Sequence, residues 1–342
     1  MRGMILAAGF GTRFQPVTHS LPKPMIPVLN RPLLGWAVEA CLASGINELI
    51  VNLHHIPEPI RAYLAEEYGH RASFELSEEE EILGTGGALR KVRHLLEEEF
   101  VLMNGDTIQW PPFIELLETR RAQDALACLL LRHPPAGESF TRVWLRDGRI
   151  TGFGEGEGEP LMFAGAHAMS PELVDLLPDR DFSGLTEDVY MPATERGTPR
   201  LAGHVRDGPW FDVGKPTRYM EATRGLLTAL RDSLIEPPSG SEFQDGSLRH
   251  GSAVIEGAVA ASSIGARTRI EAGVEVRDSV LWEYVTVGKR SSVSGSIIAH
   301  GIALPEGSRA QNVLVAPALD GLDYRDDGTV IGDWVTRPVD ET

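Results

Sequence analysis

Met4-Ile5-Leu6-Ala7-Ala8-Gly9-Phe10-Gly11-Thr12-Arg13 begins as an apolar run, breaks into glycines and ends on a cation, with Pro22-Lys23-Pro24 close behind. Met4 to Ala8 reads as a buried strand. Glycines at its end let backbone N–H groups approach a polyphosphate, because no Cβ intervenes and a positive φ costs them little. Arg13 and Lys23 then supply charge where phosphate charge accumulates during phosphoryl or nucleotidyl transfer. Two better-known glycine loops are excluded. The chain has no Gly-x-x-x-x-Gly-Lys-Ser/Thr string, and Phe14 stands where a dinucleotide fingerprint needs a small residue.

Around this loop the totals describe an ordinary packed enzyme. The 342 residues suffice for one large domain and a smaller one, and 42% hydrophobic content is usual for a globular chain. A formal charge of −17 opposes binding to nucleic acid or to an anionic membrane surface, so phosphate binding has to be local. Cys41 and Cys128, the only cysteines, read as reduced, buried thiols. The chain enters a strand directly and no apolar segment approaches ~18 residues, so cytoplasmic residence is expected.

Two architectures follow one another. Up to about Arg231, short β-type runs such as Leu49 to Leu53, Phe100 to Met103 and Leu126 to Leu131 alternate with helical patterns. That alternation predicts an α/β domain with a Rossmann-like mixed, mostly parallel sheet, whose ligands bind beyond the carboxyl ends of its strands. Pro32 opens a helical pattern to Ser44, and Gly87 opens another to Leu96. After Pro237-Pro238-Ser239-Gly240-Ser241 the composition turns to small and β-branched residues. There Ser263, Ser279, Ser296 and Asn312 recur at spacings of 16, 17 and 16 residues, as in a parallel β-helix built from hexapeptides. The expected domains are 1–235, a linker 236–245, a short left-handed β-helix 246–320 and a tail 321–342. Open coil ends present unpaired edges, so a homo-oligomer is expected.

Asp106 follows Phe100-Val101-Leu102-Met103 through an Asn-Gly turn, and Asp212 ends the aromatic segment Trp210-Phe211. Each reads either as an ordinary turn acid or as a ligand for Mg²⁺. Two carboxylates from distant segments suit a hydrated dication whose shell is completed by substrate phosphates.

Leu6-Ala7-Ala8-Gly9-Phe10-Gly11-Thr12-Arg13-Phe14-Gln15-Pro16-Val17-Thr18, continued by Leu21-Pro22-Lys23-Pro24-Met25, resembles the signature of the sugar-nucleotide pyrophosphorylases, also called sugar-1-phosphate nucleotidylyltransferases. Asp212-Val213-Gly214-Lys215-Pro216 resembles a second motif of that family, with Lys215 at a position usually neutral. The resemblance implies condensation of a nucleoside triphosphate with a sugar 1-phosphate, release of pyrophosphate, and Mg²⁺ as cofactor. It implies Arg13 and Lys23 as catalytic cations and Asp106 and Asp212 as metal ligands. Ala8, Gly9, Gly11 and Thr12 are then expected at the nucleotide, with Gly84 and Gly87 of Gly84-Thr85-Gly86-Gly87 at its base. Asn104, Gly165 and Glu187 are expected at the sugar, although Glu187 also reads as a helix N-terminal acid.

Substrate choice is less sharply written. Glu78-Glu79-Glu80-Glu81 offers acceptors that suit the adjacent N1–H and N2–H donors of guanine, or is a solvated acidic run. The glycine loop and β-helical end resemble mannose-1-phosphate guanylyltransferases, which makes that the leading reading. A uridylyltransferase acting on glucose 1-phosphate or an amino-sugar 1-phosphate is the alternative. A catalytically silent, sugar-nucleotide-sensing regulatory subunit is opposed by the retained Arg13, Lys23, Asp106 and Asp212. One departure concerns the sugar phosphate: the family's Glu-Lys-Pro is absent from Gly152 to Pro160, which contains no lysine.

Overall fold

In the computed structural model the apolar run of the signature is the strand Arg2–Leu6, with Met4 and Ile5 fully buried. All residues are described except 136, 139, 198, 199, 325–327 and 341–342. Contacts divide the chain into two units, Met1–Phe10 with Leu34–Trp210, and Gly11–Leu33 with Phe211–Thr342.

In the first unit, Arg2–Leu6 runs parallel to Glu48–Leu53 on one side and Phe100–Asn104 on the other, and Ser73–Glu78 extends the parallel set. Nearly continuous apolar strands suit this position, because a parallel sheet is covered on both faces. The nine-stranded sheet becomes mixed beyond Phe100–Asn104. Glu159–Met169 runs antiparallel to it, followed by Ala127–Arg132, Leu201–Val205, Arg149–Phe153 and Arg142–Arg146. The signature strand thus lies in the parallel half.

Ile50, Leu102, Leu129 and Phe100 of these strands form one apolar cluster with Ala88 and Leu89. Cys41 and Cys128 are buried free thiols, and burial pushes both up to about 12. The helix expected from Pro32 is Leu33–Ala43. The helix expected from Gly87 instead begins at Gly84 and ends at Lys91, with a separate 3₁₀ turn at Arg93–Leu95.

The second unit is a left-handed β-helix carrying the helix Pro216–Arg231. One parallel sheet pairs Ser263 with Val280, Val280 with Ile297 and Ile297 with Leu314. A second pairs Arg269 with Thr286 and then Ala303; a third pairs Glu275 with Ser292 and then Arg309. From Ser262 onward a coil takes 17 residues, the separation of its hydrogen-bonded serines, whereas the step from Ser247 to Ser262 takes 15. Ile264, Ile270, Val276, Leu281 and Val287 fill its interior. Three left-handed positions turn each coil: Asp278, Tyr284 and Arg290 recur one coil later as Gly295, Gly301 and Gly307.

Three expectations change here. The repeating serines are Ser262, Ser279 and Ser296, followed by Val313, so these steps are uniform, and both Ser263 and Asn312 were one residue out of register. Within the expected linker 236–245, Ser241–Gln244 is a strand paired with Ser247–His250. The expected tail contains Trp334–Pro338, which lies antiparallel on the last coil strand Val313–Pro317, with Thr329–Ile331 beside it. Val313–Pro317 is consequently covered, and Thr329–Ile331 becomes the exposed outer strand of that sheet. Residues 325–327 and 341–342 of the tail are outside the described set. No helix among the described residues is long and apolar enough to cross a membrane.

The boundary also differs from the expected 1–235, because Gly11–Leu33 packs with the β-helix. Tyr219 supplies the reason. Fully buried, it donates its hydroxyl hydrogen to the Pro27 carbonyl at 2.6 Å, accepts the Trp282 indole N–H at 3.0 Å, and meets Phe14 edge-on at 5.6 Å. Asn30 adds bonds to the Ile264 carbonyl at 3.0 Å and the Ser241 hydroxyl at 3.1 Å.

Candidate active site

Three adjacent parallel strands end together in the first unit. Leu6 is paired with Asn52 on one side and Asn104 on the other, so Ala7, Ala8 and Gly9 leave the sheet where open α/β sheets bind ligands. The Asn104-Gly105-Asp106 turn is hooked onto this end: Gly105 N–H donates to the Leu6 carbonyl at 2.9 Å, and a Cβ on Gly105 would lie 2.6 Å from that oxygen. Asp106 is thereby held half-buried beside the signature strand. Gly165, at φ +90, brings its α-carbon against Asn104, whose Nδ2 lies 3.0 Å from the place of an added Cβ. At Gly9 an added Cβ meets nothing within 4 Å among the described residues. Neither backbone angle nor a described contact demands glycine there.

A buried relay, absent from the sequence reading, ties this strand end to the glycine loop. Ala7 N–H donates to Asn52 Oδ1 at 2.7 Å, and Asn52 Nδ2 donates to Glu79 Oε1 at 2.8 Å. The other Glu79 oxygen accepts Leu83 N–H at 2.9 Å. Glu79 is only 3% exposed, so it is a structural link rather than an acceptor for a base. Glu78 pairs with Arg61, and only Glu80 and Glu81 of the run remain exposed without a described role. The signal in the sequence was Asn52, a polar residue inside the apolar run Leu49 to Leu53.

The glycine loop has a packing explanation as well. Gly86 and Gly87 N–H groups donate to the Ser183 carbonyl at 2.8 and 3.3 Å, and Thr85 Oγ1 accepts Leu185 N–H at 2.9 Å. A Cβ would stand 2.5 Å from the Ser183 oxygen at Gly84, and 2.3 Å from the Asp181 oxygen at Gly87. These two N–H groups are therefore engaged within the chain. Glu187 is exposed on the neighbouring turn, its carboxylate over Gly184. Glu187 and Asp188 both lie in the first turn, and Asp188 is the one that accepts the Gly184 N–H, at 2.9 Å.

The second unit gathers the basic residues. Gly11, at φ +64, packs so closely that an added Cβ would stand 2.8 Å from Lys23 Cβ. Thr12–Phe14 forms a 3₁₀ turn with Thr12 and Arg13 exposed and Phe14 buried. Lys23 is 7% exposed. A Cβ on Gly214 would lie 3.0 Å from Arg13 Nη2 and 3.1 Å from Asp212 Oδ1. The signature cation and the downstream carboxylate therefore converge on one glycine, despite their separation in sequence. Lys215 precedes the helix Pro216–Arg231 and is half-buried.

The segment Gly152 to Pro160, which has no lysine, packs on Trp144. A Cβ on Gly156 would fall 2.6 Å from Trp144 Cβ, and the Trp144 indole donates to the Gly154 carbonyl at 3.1 Å. The tryptophan occupies the space a side chain would need.

Residues 2–229 match the nucleotidyl transferase family, and residues 237–313 match the GlmU-like C-terminal hexapeptide family. The chain belongs to the sugar-1-phosphate nucleotidyltransferases. This nucleotidyltransferase is 29% identical to a UTP–glucose-1-phosphate uridylyltransferase of Synechocystis, over 92% of its own length and 87% of the relative's. It is 28% identical to mannose-1-phosphate guanylyltransferase 1 of Arabidopsis thaliana, over 92% and 90%. A mannose-1-phosphate guanyltransferase of Candida albicans is 31% identical over 67% of this chain and 66% of its own. Enzymes of this family use a divalent metal. Asp106 and Asp212, half-buried hard-oxygen donors at strand ends, fit a hydrated hard cation better than a soft one.

Proposed function

We propose that this nucleotidyltransferase joins GTP to mannose 1-phosphate, giving GDP-mannose and pyrophosphate. An oxygen of the sugar phosphate attacks the α-phosphorus in line, the bond from that phosphorus to the bridging oxygen breaks, and pyrophosphate leaves with the electron pair. No protein nucleophile is needed, because the attacking oxygen is already ionised at neutral pH. The difficulty is crowding of negative charge, which positioned cations relieve. Arg13 holds the departing β and γ phosphates, and Lys23 lies between the α-phosphate and the incoming sugar phosphate. Mg²⁺ held by Asp106 and Asp212 supplies further neutralisation when bound.

Ala8, Gly9, Gly11 and Thr12 serve the nucleotide, Gly84 and Gly87 its base, and Asn104, Gly165 and Glu187 the sugar. The observation that carries this reading is the convergence of Arg13 and Asp212 on Gly214, with Lys23 packed under the same loop at Gly11. The Arabidopsis and Candida names support guanine and mannose. The Synechocystis name supports the second reading, UTP with glucose 1-phosphate. We place the enzyme in the cytoplasm as a homo-oligomer; the two buried free thiols suit the first, and size measurement in solution tests the second.

Pyrophosphate release from each common nucleoside triphosphate, paired with mannose, glucose and amino-sugar 1-phosphates, tests the assignment. GTP with mannose 1-phosphate should give the highest kcat/KM. A higher value with UTP and glucose 1-phosphate selects the second reading. Lys23→Met should lower kcat about a hundredfold while changing nucleotide affinity little, because charge crowding peaks in the transition state. Near-normal turnover of that variant would remove Lys23 from the chemistry.

A further inference from the structure

We propose that the last strand of the β-helical unit is a strut for the catalytic loop, and that Arg337 is a positioning residue acting on Arg13. This rests on the assignment of Arg13 to the transferred phosphates. Trp334–Pro338 is bonded along Val313–Pro317, the final strand of its sheet in the coil, with Arg337 opposite Leu314. From there Arg337 Nη1 donates to the Gln15 carbonyl at 2.6 Å, a bond spanning 322 residues of sequence. Gln15 closes the 3₁₀ turn Thr12–Phe14 through its own N–H, which donates to the Thr12 carbonyl at 3.2 Å.

A turn of this length is too short to hold its own geometry. Its outer residues, Thr12 and Arg13, are exposed, so the turn depends on what grips its ends. Its grips include Phe14 against Tyr219, the Thr18 hydroxyl on the Gly11 carbonyl at 3.0 Å, and Arg337 on Gln15. The Arg337 Nε is buried and has no hydrogen-bond partner among the described residues, so the bond to Gln15 is not a by-product of a saturated ion-pair network. A charged donor to a partly buried carbonyl is among the stronger hydrogen bonds available. The same C-terminal stretch reaches the signature segment a second time. Tyr324 meets His19 edge-on at 5.9 Å, while its hydroxyl accepts Leu319 N–H at 2.7 Å.

Arg337 thus couples the last strand of the β-helix to the catalytic loop. Displacement of that strand would be transmitted to Gln15 and so to Arg13.

The test uses the full-length enzyme and three variants. Arg337→Met keeps the aliphatic stem and removes the donor; Arg337→Lys restores a donor; Arg224→Met breaks the paired 2.8 and 2.7 Å bonds to Asp278 elsewhere in the same unit. Arg337→Met should lower kcat about tenfold with KM for the sugar phosphate little changed, and Arg337→Lys should recover most of that loss. Arg224→Met should retain wild-type kcat. Amide exchange at Gly11 to Gln15, measured without substrates, should quicken in Arg337→Met and not in Arg224→Met.

Unaltered exchange in Arg337→Met overturns the strut, whatever the activity. Faster exchange with kcat within twofold of wild type overturns the positioning role. Equal losses in Arg337→Met and Arg224→Met show general loosening and overturn it as well. If the wild-type enzyme releases no pyrophosphate with any substrate pair, the catalytic assignment fails, while the exchange measurement still decides the strut.

Discussion

The glycines of this enzyme look alike in sequence and differ in what they do. Gly9 has open space where a side chain would start, whereas Gly87 is pressed against the Asp181 carbonyl and Gly84 against that of Ser183 at φ +72. Gly87→Ala should therefore lower stability by about 1–3 kcal/mol, read as a lower melting temperature. Gly9→Ala should melt with the wild type but lose about tenfold in nucleotide affinity, as its methyl enters space kept for the ligand. Undiminished affinity in Gly9→Ala would end the close-approach argument. The cations and aspartates stand out as candidates in the sequence because phosphate chemistry demands few residue types. Glu79 was not: within four consecutive glutamates nothing local distinguishes the buried one, and its identity follows from Asn52 and Leu83 reaching it in space.

Among elements, the coil shows how a repeat becomes a structure. Ser262, Ser279 and Ser296 are buried, and each hydroxyl donates to the carbonyl two residues before it, at 2.7 to 2.8 Å. Each also accepts the backbone N–H of the equivalent residue in the next coil, at 3.1 to 3.2 Å. One serine thus bonds two backbone groups, and for the N–H it is the acceptor that the coil supplies. Ser279→Ala leaves the Arg277 carbonyl with the Gly295 N–H at 3.2 Å but removes the acceptor of the Ser296 N–H, and should cost about 1–2 kcal/mol in urea unfolding. An unchanged midpoint would show that the ladder is ornamental to stability. The period was visible beforehand, but the doublet Ser262-Ser263 concealed its phase, since only pairing between coils decides which serine faces inward. The helix after Gly84 was likewise visible with its start displaced, because Ser183 fixes its first turn from outside.

For the molecule as a whole, pH should act on stability through His167. Burial lowers its pKa to about 3 from 6.5, and its Nδ1 shares a 3.0 Å hydrogen bond with the Tyr190 hydroxyl. The folded enzyme keeps this imidazole neutral, while the unfolded chain takes up its proton below about 6.5. Its contribution is fully present above that pH and declines as pH falls towards 3, because the unfolded state then binds more protons. The urea-midpoint difference between wild type and His167→Gln should narrow, or reverse, from pH 7 to 4.5. A constant difference would mean that His167 is protonated alike in both states. The sequence by itself determined the chemistry and the parts: a glycine loop with two cations, two strand-end aspartates, an α/β sheet and a coil, all encoded by neighbouring residues through backbone freedom, charge and apolar period. Only the tertiary structure decided that Gly11–Leu33 belongs with the β-helix, that Glu79 is an internal link and that Arg337 grips Gln15. Those assignments depend on hydrogen bonds and packing between residues far apart in the chain, which no local pattern records.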